Sequence, residues 1–211
     1  MLNLTDQQKE ALIAICHESL NKAAKQLSLL LSHSISILAP NITLSAISDI
    51  GKINHFEEDH SFCYISQEIH SGFSGRALLI VQRNHSSLLT HSVLGKMPKM
   101  TPEEMHTCEQ EALLEIGNIM ISSYISAIAN MTSENINLTA PNYAEGRIET
   151  LLKEEINKMQ EPSTEALVLT TPLQTNDQQI ISAQVLLLPK KSIEFLLEKI
   201  RAFIHGKNSH T

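Results

Sequence analysis

Residues 10–41 recur as residues 111–142, shifted by 101 positions and without a gap, with nine of the 32 aligned positions identical. The pairs are Glu10 with Glu111, Ala11 with Ala112, Leu12 with Leu113, Ile15 with Ile116, Ser32 with Ser133, Ile35 with Ile136, Ala39 with Ala140, Pro40 with Pro141 and Asn41 with Asn142. Unrelated segments would share about two, because each residue type supplies only a few per cent of an average chain. Self-similarity at a fixed offset marks a duplicated unit. The chain is therefore expected to fold as two related halves, about 1–97 and about 101–204, within one domain spanning residues 1–211.

Local patterns fit that division. "TDQQ" at Thr5 and "TPEE" at Thr101 both read as helix starts, with a Thr N-cap, Gln8 or Glu104 three residues on, and Pro102 at the first helical position. After the Pro-Asn pairs come β-rich stretches, "SFCYISQEI" then "GRALLIVQRN" in half one, and "EALVLTTPLQ" then "QIISAQVLLLP" in half two. These predict hairpins. Helical patterns follow each pair, "SSLLTHSVLGKM" and "KSIEFLLEKIRAFI", while "YAEGRIETLLKEEINKMQ" predicts a further helix in half two only. The expected fold is α+β with pseudo-two-fold symmetry. A lone hairpin is marginal, so the halves are expected to share one antiparallel sheet with long helices packed on it, and residues 97–101 to form an internal seam.

Composition removes several classes of function. A formal net charge of −7 without a Lys/Arg cluster argues against a nucleic-acid partner. The N-terminus lacks a basic segment followed by an apolar run, and "ALLIV" and "VLLL" are too short to span a bilayer, so a cytoplasmic protein without membrane insertion is expected. Cys16, Cys63 and Cys108 form no C-x2-C pair, which predicts reduced thiols. His55, His60, His70, His85 and His91 form no i, i+4 pair flanked by carboxylates, so no metal site is expected and most of the histidines read as surface groups. No nucleophile elbow or phosphate-cradling Gly loop appears among seven glycines. The C-terminal "HGKNSHT" reads as a fraying end.

One helix carries an unusual polar edge. At about 100° per residue, Glu111, Glu115 and Asn118 fall within an arc of about 60°, and Ser122 joins them, while Leu113, Ile116, Met120, Ile121 and Tyr124 lie opposite. Most such stripes are solvated faces. Here Asn118 is a poor choice for an exposed mid-helix position, and Gly117 costs about 1 kcal/mol against Ala. Gly117 is expected to expose backbone to the close approach of a second macromolecule.

The spacing Glu111-x3-Glu115-x2-Asn118-x22-Pro141, within "LLEIGNIMISSYISAIANMT", resembles the signature of the CheC, CheX and FliY phosphatases of bacterial chemotaxis. The resemblance implies a CheC-like fold and, as substrate, the phosphorylated Asp of a CheY-type receiver-domain response regulator. Asn118 would orient the attacking water, and Glu115 would pair with the regulator's phosphoryl-contacting lysine. Magnesium would belong to the partner, so no cofactor of this chain is implied. Glu111 stands where the signature has Asp or Ser; it keeps the charge with a longer reach.

The first half lacks these groups. Glu10 and Pro40 remain, but Ala14 and His17 occupy the Glu and Asn positions, so this copy is expected to be inactive. An out-of-register Glu18-x2-Asn21 does not fit the gapless alignment. Two alternatives to the phosphatase stand beside it. One is a non-catalytic adaptor binding a response regulator or a CheD-type partner. The other is a flagellar motor switch component, ranked lower because 211 residues leave no room for an additional switch domain.

Overall fold

The computed structural model describes residues 3–38, 40–52, 61–70, 72–94, 100–159, 161, 165–175 and 179–208. In chain order the elements are α1 (Asp6–Leu31), β1 (Ser36–Ile37), β2 (Asn41–Ala46), a 3-10 helix (Ile47–Lys52), β3 (Phe62–His70), β4 (Gly75–Gln82) and α2 (Arg83–Leu94). Then follow α3 (Pro102–Thr132), β5 (Asn137–Leu138), β6 (Asn142–Gly146), α4 (Ile148–Asn157), β7 (Glu165–Gln174), β8 (Gln179–Leu187) and α5 (Lys190–Asn208).

Local chemistry sets the ends of the two long helices. Thr5 with Gln8, and Thr101 with Glu104, each close a capping box that satisfies N-terminal backbone donors. The Thr101 backbone N–H and hydroxyl hold the Glu104 carboxyl below the usual carboxylate range. At the other ends Ser32 and Ser133, identical residues 101 positions apart, adopt left-handed cap conformations with φ of 53° and 57°.

All strand pairings are antiparallel, in the order β1-β7-β8-β4-β3-β5, with β2 also on β7 and β6 also on β3. The predicted hairpins β3–β4 and β7–β8 are joined through β4 and β8. Each half then gives its short strands to the other: β1 and β2 of half one pair with β7, whereas β5 and β6 of half two pair with β3. Neither hairpin is left with an open outer edge along these pairings, which is how a sheet avoids association through unpaired backbone.

This exchange corrects part of the expected element order. "YAEGR" was expected to open a helix, but Asn142–Gly146 is strand β6, because the outer edge of β3 offers it a ladder from Phe62 to Ser66. The helix begins only at Ile148. It is not an addition to half two alone either. The 3-10 helix Ile47–Lys52 starts at the same 101-residue offset, with buried Ile50 matching buried Leu151. Ser48, Asp49 and Gly51 stand there in place of Glu149, Thr150 and Leu152, which are better or equal helix formers. On the strand side, "GRALLIVQRN" ends as strand at Gln82, and α2 starts at Arg83 instead of near Ser86.

The sheet is buried on both faces, which is why its central strands read as continuous apolar runs. One face carries α1, α3 and α5, whose Leu12, Leu20, Leu27, Ile116, Ile128 and Ile200 pack on Ile65, Leu79, Leu169 and Leu186. The other is covered by α4 and the 3-10 helix, whose Ile50, Ile148, Leu151 and Leu152 pack on Phe62, Tyr64, Leu78 and Val185. Under α4, Glu155 is fully buried and is matched by Arg76, Lys158 and the Tyr64 hydroxyl. Helix α3 is long and apolar enough by composition to cross a bilayer. Its apolar side is instead spent on this core, since Leu113, Ile116, Met120, Ile121, Tyr124 and Ile128 are at most 1% exposed.

The seam at 97–99, His55, His60, the side chain of His91 and the last residues of "HGKNSHT" lie outside the described residues. His70 is exposed, but His85 is half-buried, its Nδ1 has no hydrogen-bond partner, and burial holds its pKa below the usual histidine value. Surface placement therefore holds for His70 and not for His85. Cys16 and Cys63 are buried free thiols and Cys108 is a half-buried one. Burial pushes the Cys16 thiol up to about 12, so it is inert at neutral pH.

Candidate functional site

Helix α3 presents the polar edge to a groove it shares with α1. Ser19, Lys22 and Gln26 of α1 face Glu115, Asn118, Ser122, Ser123, Ser126 and Asn130 of α3 across a space of about 510 Å³. Glu115 is exposed and has no hydrogen-bond or ion-pair partner among the described residues. Lys22 is paired with Glu18 on its own helix at 3.0 Å. The groove therefore holds one unpaired carboxylate one helical turn from an amide, beside a largely hydroxyl- and amide-lined wall.

Asn118 is half-buried and held from below. The Gln67 amide of β3 donates to its Oδ1 at 3.3 Å, and the Ser122 hydroxyl donates to the same oxygen at 3.5 Å. The same Gln67 nitrogen donates to the Thr139 carbonyl at 2.7 Å. Thr139 is in turn zipped to β3: its hydroxyl accepts from the Glu68 backbone N–H at 2.9 Å, and its own N–H donates to the Glu68 carbonyl at 3.1 Å. The Asn118 Nδ2 has no partner among the described residues. Such an amide can hold a water or an anionic oxygen without charge repulsion.

Gly117 corrects a sequence expectation. It is buried, not open to a second macromolecule, and the surface it meets is the chain's own β3. A Cβ at this position would lie 2.6 Å from the Cβ of Ile65, so only glycine lets α3 sit this close to the strand that carries Gln67. Pro141 does not line the groove. It stands between β5 and β6, where the lack of a proline N–H suits the break in the ladder on β3. Glu111 is exposed on the same side of α3, outside the groove lining and with no partner among the described residues.

The first-half positions are differently placed. Ala14 and His17 are exposed on α1, and His17 Nδ1 lies 3.4 Å from Asn21 Nδ2. Glu10 is exposed, while Pro40 is buried at the break between β1 and β2. The out-of-register pair is already engaged, Glu18 by Lys22 and Asn21 by His17. Among the described residues no group of three His, Cys, Asp or Glu side chains comes together as a metal site. Gln67 and Thr139 were not foreseen from the sequence. The available signal was a Gln in a strand that begins with the apolar run Phe62–Ile65, since a buried amide needs partners.

The chain is similar to several known proteins. Residues 109–143 match the CheC-like family. The flagellar motor switch phosphatase FliY of Bacillus subtilis (strain 168) is 26% identical over 169 residues, which are 79% of this chain and 42% of that protein. The chain thus spans less than half the length of that relative. The crystal structure of Thermotoga maritima FliY superposes with a TM-score of 0.72 at 17% identity, over 97% of this chain and 98% of that one. The FliM middle domain of H. pylori does so with a TM-score of 0.61 at 10% identity, over 93% and 99%. At these identities the two structures show a shared fold, which is the α+β architecture expected from the sequence. The match at the motif helix and the FliY relative support the resemblance to the CheC, CheX and FliY family that the motif spacing carries.

Proposed function

We propose that this chain is a phosphatase that removes the phosphoryl group from the aspartate of a CheY-type response regulator, tuning chemotaxis or a related two-component pathway. The observation that carries the reading is the pair Glu115 and Asn118, one turn apart beside an open groove, each with a polar group that the fold has not spent. The FliY relative, a flagellar motor switch phosphatase by name, supports the same reading.

The chemistry is hydrolysis of an acyl phosphate. A water oxygen forms the new bond to phosphorus, the bond from phosphorus to the aspartyl oxygen breaks with its electron pair left on the carboxylate, and the water proton is lost to solvent. Little covalent work falls to the enzyme, so positioning supplies most of the rate. Asn118 holds the water through its outward NH2, and the Glu115 carboxylate engages a cation of the regulator and sets the register of α3 on it. Glu111 adds negative charge further along the helix, and Gly117 and Pro141 shape the support beneath. Magnesium is contributed by the regulator. On this reading residues 101–204 carry the working copy, residues 1–97 a copy kept for packing, and the protein is cytoplasmic like its substrate.

A second reading is a non-catalytic adaptor that binds a response regulator or a CheD-type partner on the same surface, with a motor switch component ranked lower; the FliM likeness lends the latter a shared fold. One experiment separates them. The decay of several phosphorylated CheY-type regulators is followed with wild-type protein and Glu115→Ala, alongside binding to the regulator carrying a beryllofluoride phosphoryl mimic. Faster decay with wild type, lost in the variant, supports the phosphatase; mimic-independent binding with unchanged decay overturns it.

A further inference from the structure

The orientation of the Asn118 amide is decided by a residue outside the motif helix. The Thr139 carbonyl can only accept a hydrogen bond, so the side-chain end of Gln67 that approaches it at 2.7 Å must be the NH2. The same nitrogen faces Asn118 at 3.3 Å, so the atom of Asn118 turned inward must be the acceptor, Oδ1. Ser122 donates to that oxygen as well. What remains for a ligand is Nδ2, a donor. Gln67 is 2% exposed, so solvent does not compete for its amide.

The other half of the molecule has the same backbone without these side chains. Asn142 pairs with Ser66 on β3 and its repeat partner Asn41 pairs with Thr170 on β7, so Gln67 corresponds to Thr171. The Thr139 N–H bond to the Glu68 carbonyl, 3.1 Å, likewise recurs as the Leu38 N–H bond to the Pro172 carbonyl, 3.0 Å. Thr171 is fully buried and its hydroxyl donates back to Leu169 of its own strand at 3.3 Å. Leu38 has no hydroxyl, and Pro172 has no N–H to give one. The first copy lacks the whole relay from strand to helix as well as the Glu and Asn it would serve.

We infer that Gln67 is a positioning residue: anchored by the Thr139 carbonyl, it holds the Asn118 carboxamide with its NH2 toward the groove, so that Asn118 meets the reacting water or phosphoryl oxygen as a hydrogen-bond donor. This inference rests on the phosphatase reading for its consequence in catalysis, but the direction of the amide is a property of the protein alone. Pro141 gains a physical role as well. It sits two residues beyond Thr139 at the ladder break, where the Thr139 carbonyl accepts from a side chain.

Two variants and two readouts test it. Gln67→Glu keeps the shape but turns a donor into an acceptor, which draws the Asn118 NH2 inward; Gln67→Met keeps the length with no hydrogen bond and serves if the first variant fails to fold. The first readout is hydrogen exchange of the Asn118 side-chain NH2 with water by nuclear magnetic resonance. Fast exchange in wild type that slows in Gln67→Glu is expected, whereas slow exchange in wild type overturns the assignment. The second readout is turnover of the phosphorylated regulator, with kcat falling ~10-fold or more at unchanged KM in either variant. A lowered Tm with unchanged kcat would make Gln67 a packing residue and overturn the proposal. Exchange reads the amide whether or not any regulator is a substrate, so an inactive wild type counts against the function and not against the orientation.

Discussion

Helices α1 and α3 occupy equivalent places on the same sheet, begin with the same capping box and end in the same left-handed serine cap, yet α3 carries Glu115 and Asn118 where α1 carries Ala14 and His17. The difference starts beneath the helices. Gly117 lets α3 approach β3 and β4 closely, whereas Cys16 stands at the matching position of α1, whose close approaches to the sheet are mainly to β1 and β2. Above the glycine, Asn118 reaches a buried amide on β3; above the cysteine, His17 is exposed and lies against Asn21 of its own helix. A duplicated fold thus keeps the scaffold symmetric while, among the described residues, the polar edge of α3 has a side-chain bond to the strand beneath it and the matching edge of α1 does not.

The largest expected break in this comparison lies on the far face of the sheet, where α4 of half two is anchored through the fully buried Glu155, whereas the carboxylate of the half-one 3-10 helix, Asp49, is only half-buried. Glu155→Ala leaves the buried Arg76 with only its longer contacts to Glu68 at 3.8 Å and Ser66 at 3.4 Å, and should cost about 3 kcal/mol, measured by urea unfolding. Burial alone would push the Glu155 carboxyl up, but hydrogen bonds and charges from Lys158 and Arg76 outweigh it and hold it below its ordinary 4.5. A depressed folded pKa means stability that is present above 4.5 and lost as pH falls through the lower folded value. The wild-type protein should therefore lose Tm below that pH more steeply than Glu155→Ala does.

Next in size is the pair of positions under the helices. Gly117→Ala gains helix propensity of about 1 kcal/mol but drives a methyl into the buried Ile65, so a net loss of about 1–3 kcal/mol is expected. Cys16→Ala should cost ~1 kcal/mol through a small cavity and leave phosphatase activity unchanged. Equal losses of activity in both variants would remove the asymmetry proposed between the copies. The smallest expected effect is none at all. Ala14→Glu with His17→Asn, made in an Asn118→Ala background, should restore no activity, because Thr171 and Leu38 still stand where the working copy has Gln67 and Thr139. A clear recovery would mean that two side chains suffice and that the relay from β3 is dispensable.

The parts of this molecule that were legible in the sequence are those set by local chemistry or by long apolar runs. Thr5 and Thr101 announce their helices, and β7 spans the residues 165–174 that its β-branched content marks out. The short strands were not legible, because Asn142–Gly146 is a strand only by virtue of a β3 edge supplied from the other half. Gly117 was visible as an anomaly but misread, since a glycine in a helix signals close approach without saying whether the neighbour belongs to the same chain. Glu115 and Asn118 stood out through spacing. Gln67 lies 51 residues away on a strand, and no periodicity links a buried strand amide to a helix position it happens to face.

The most direct measurement is the decay rate of one phosphorylated CheY-type regulator in the presence of wild-type protein, Asn118→Ala and His17→Ala, at matched concentrations. A single working copy predicts that Asn118→Ala loses acceleration by ~10²-fold or more while His17→Ala retains it in full. If Asn118→Ala accelerates decay as wild type does, or if His17→Ala loses as much, the groove between α1 and α3 is not a one-sided phosphatase site.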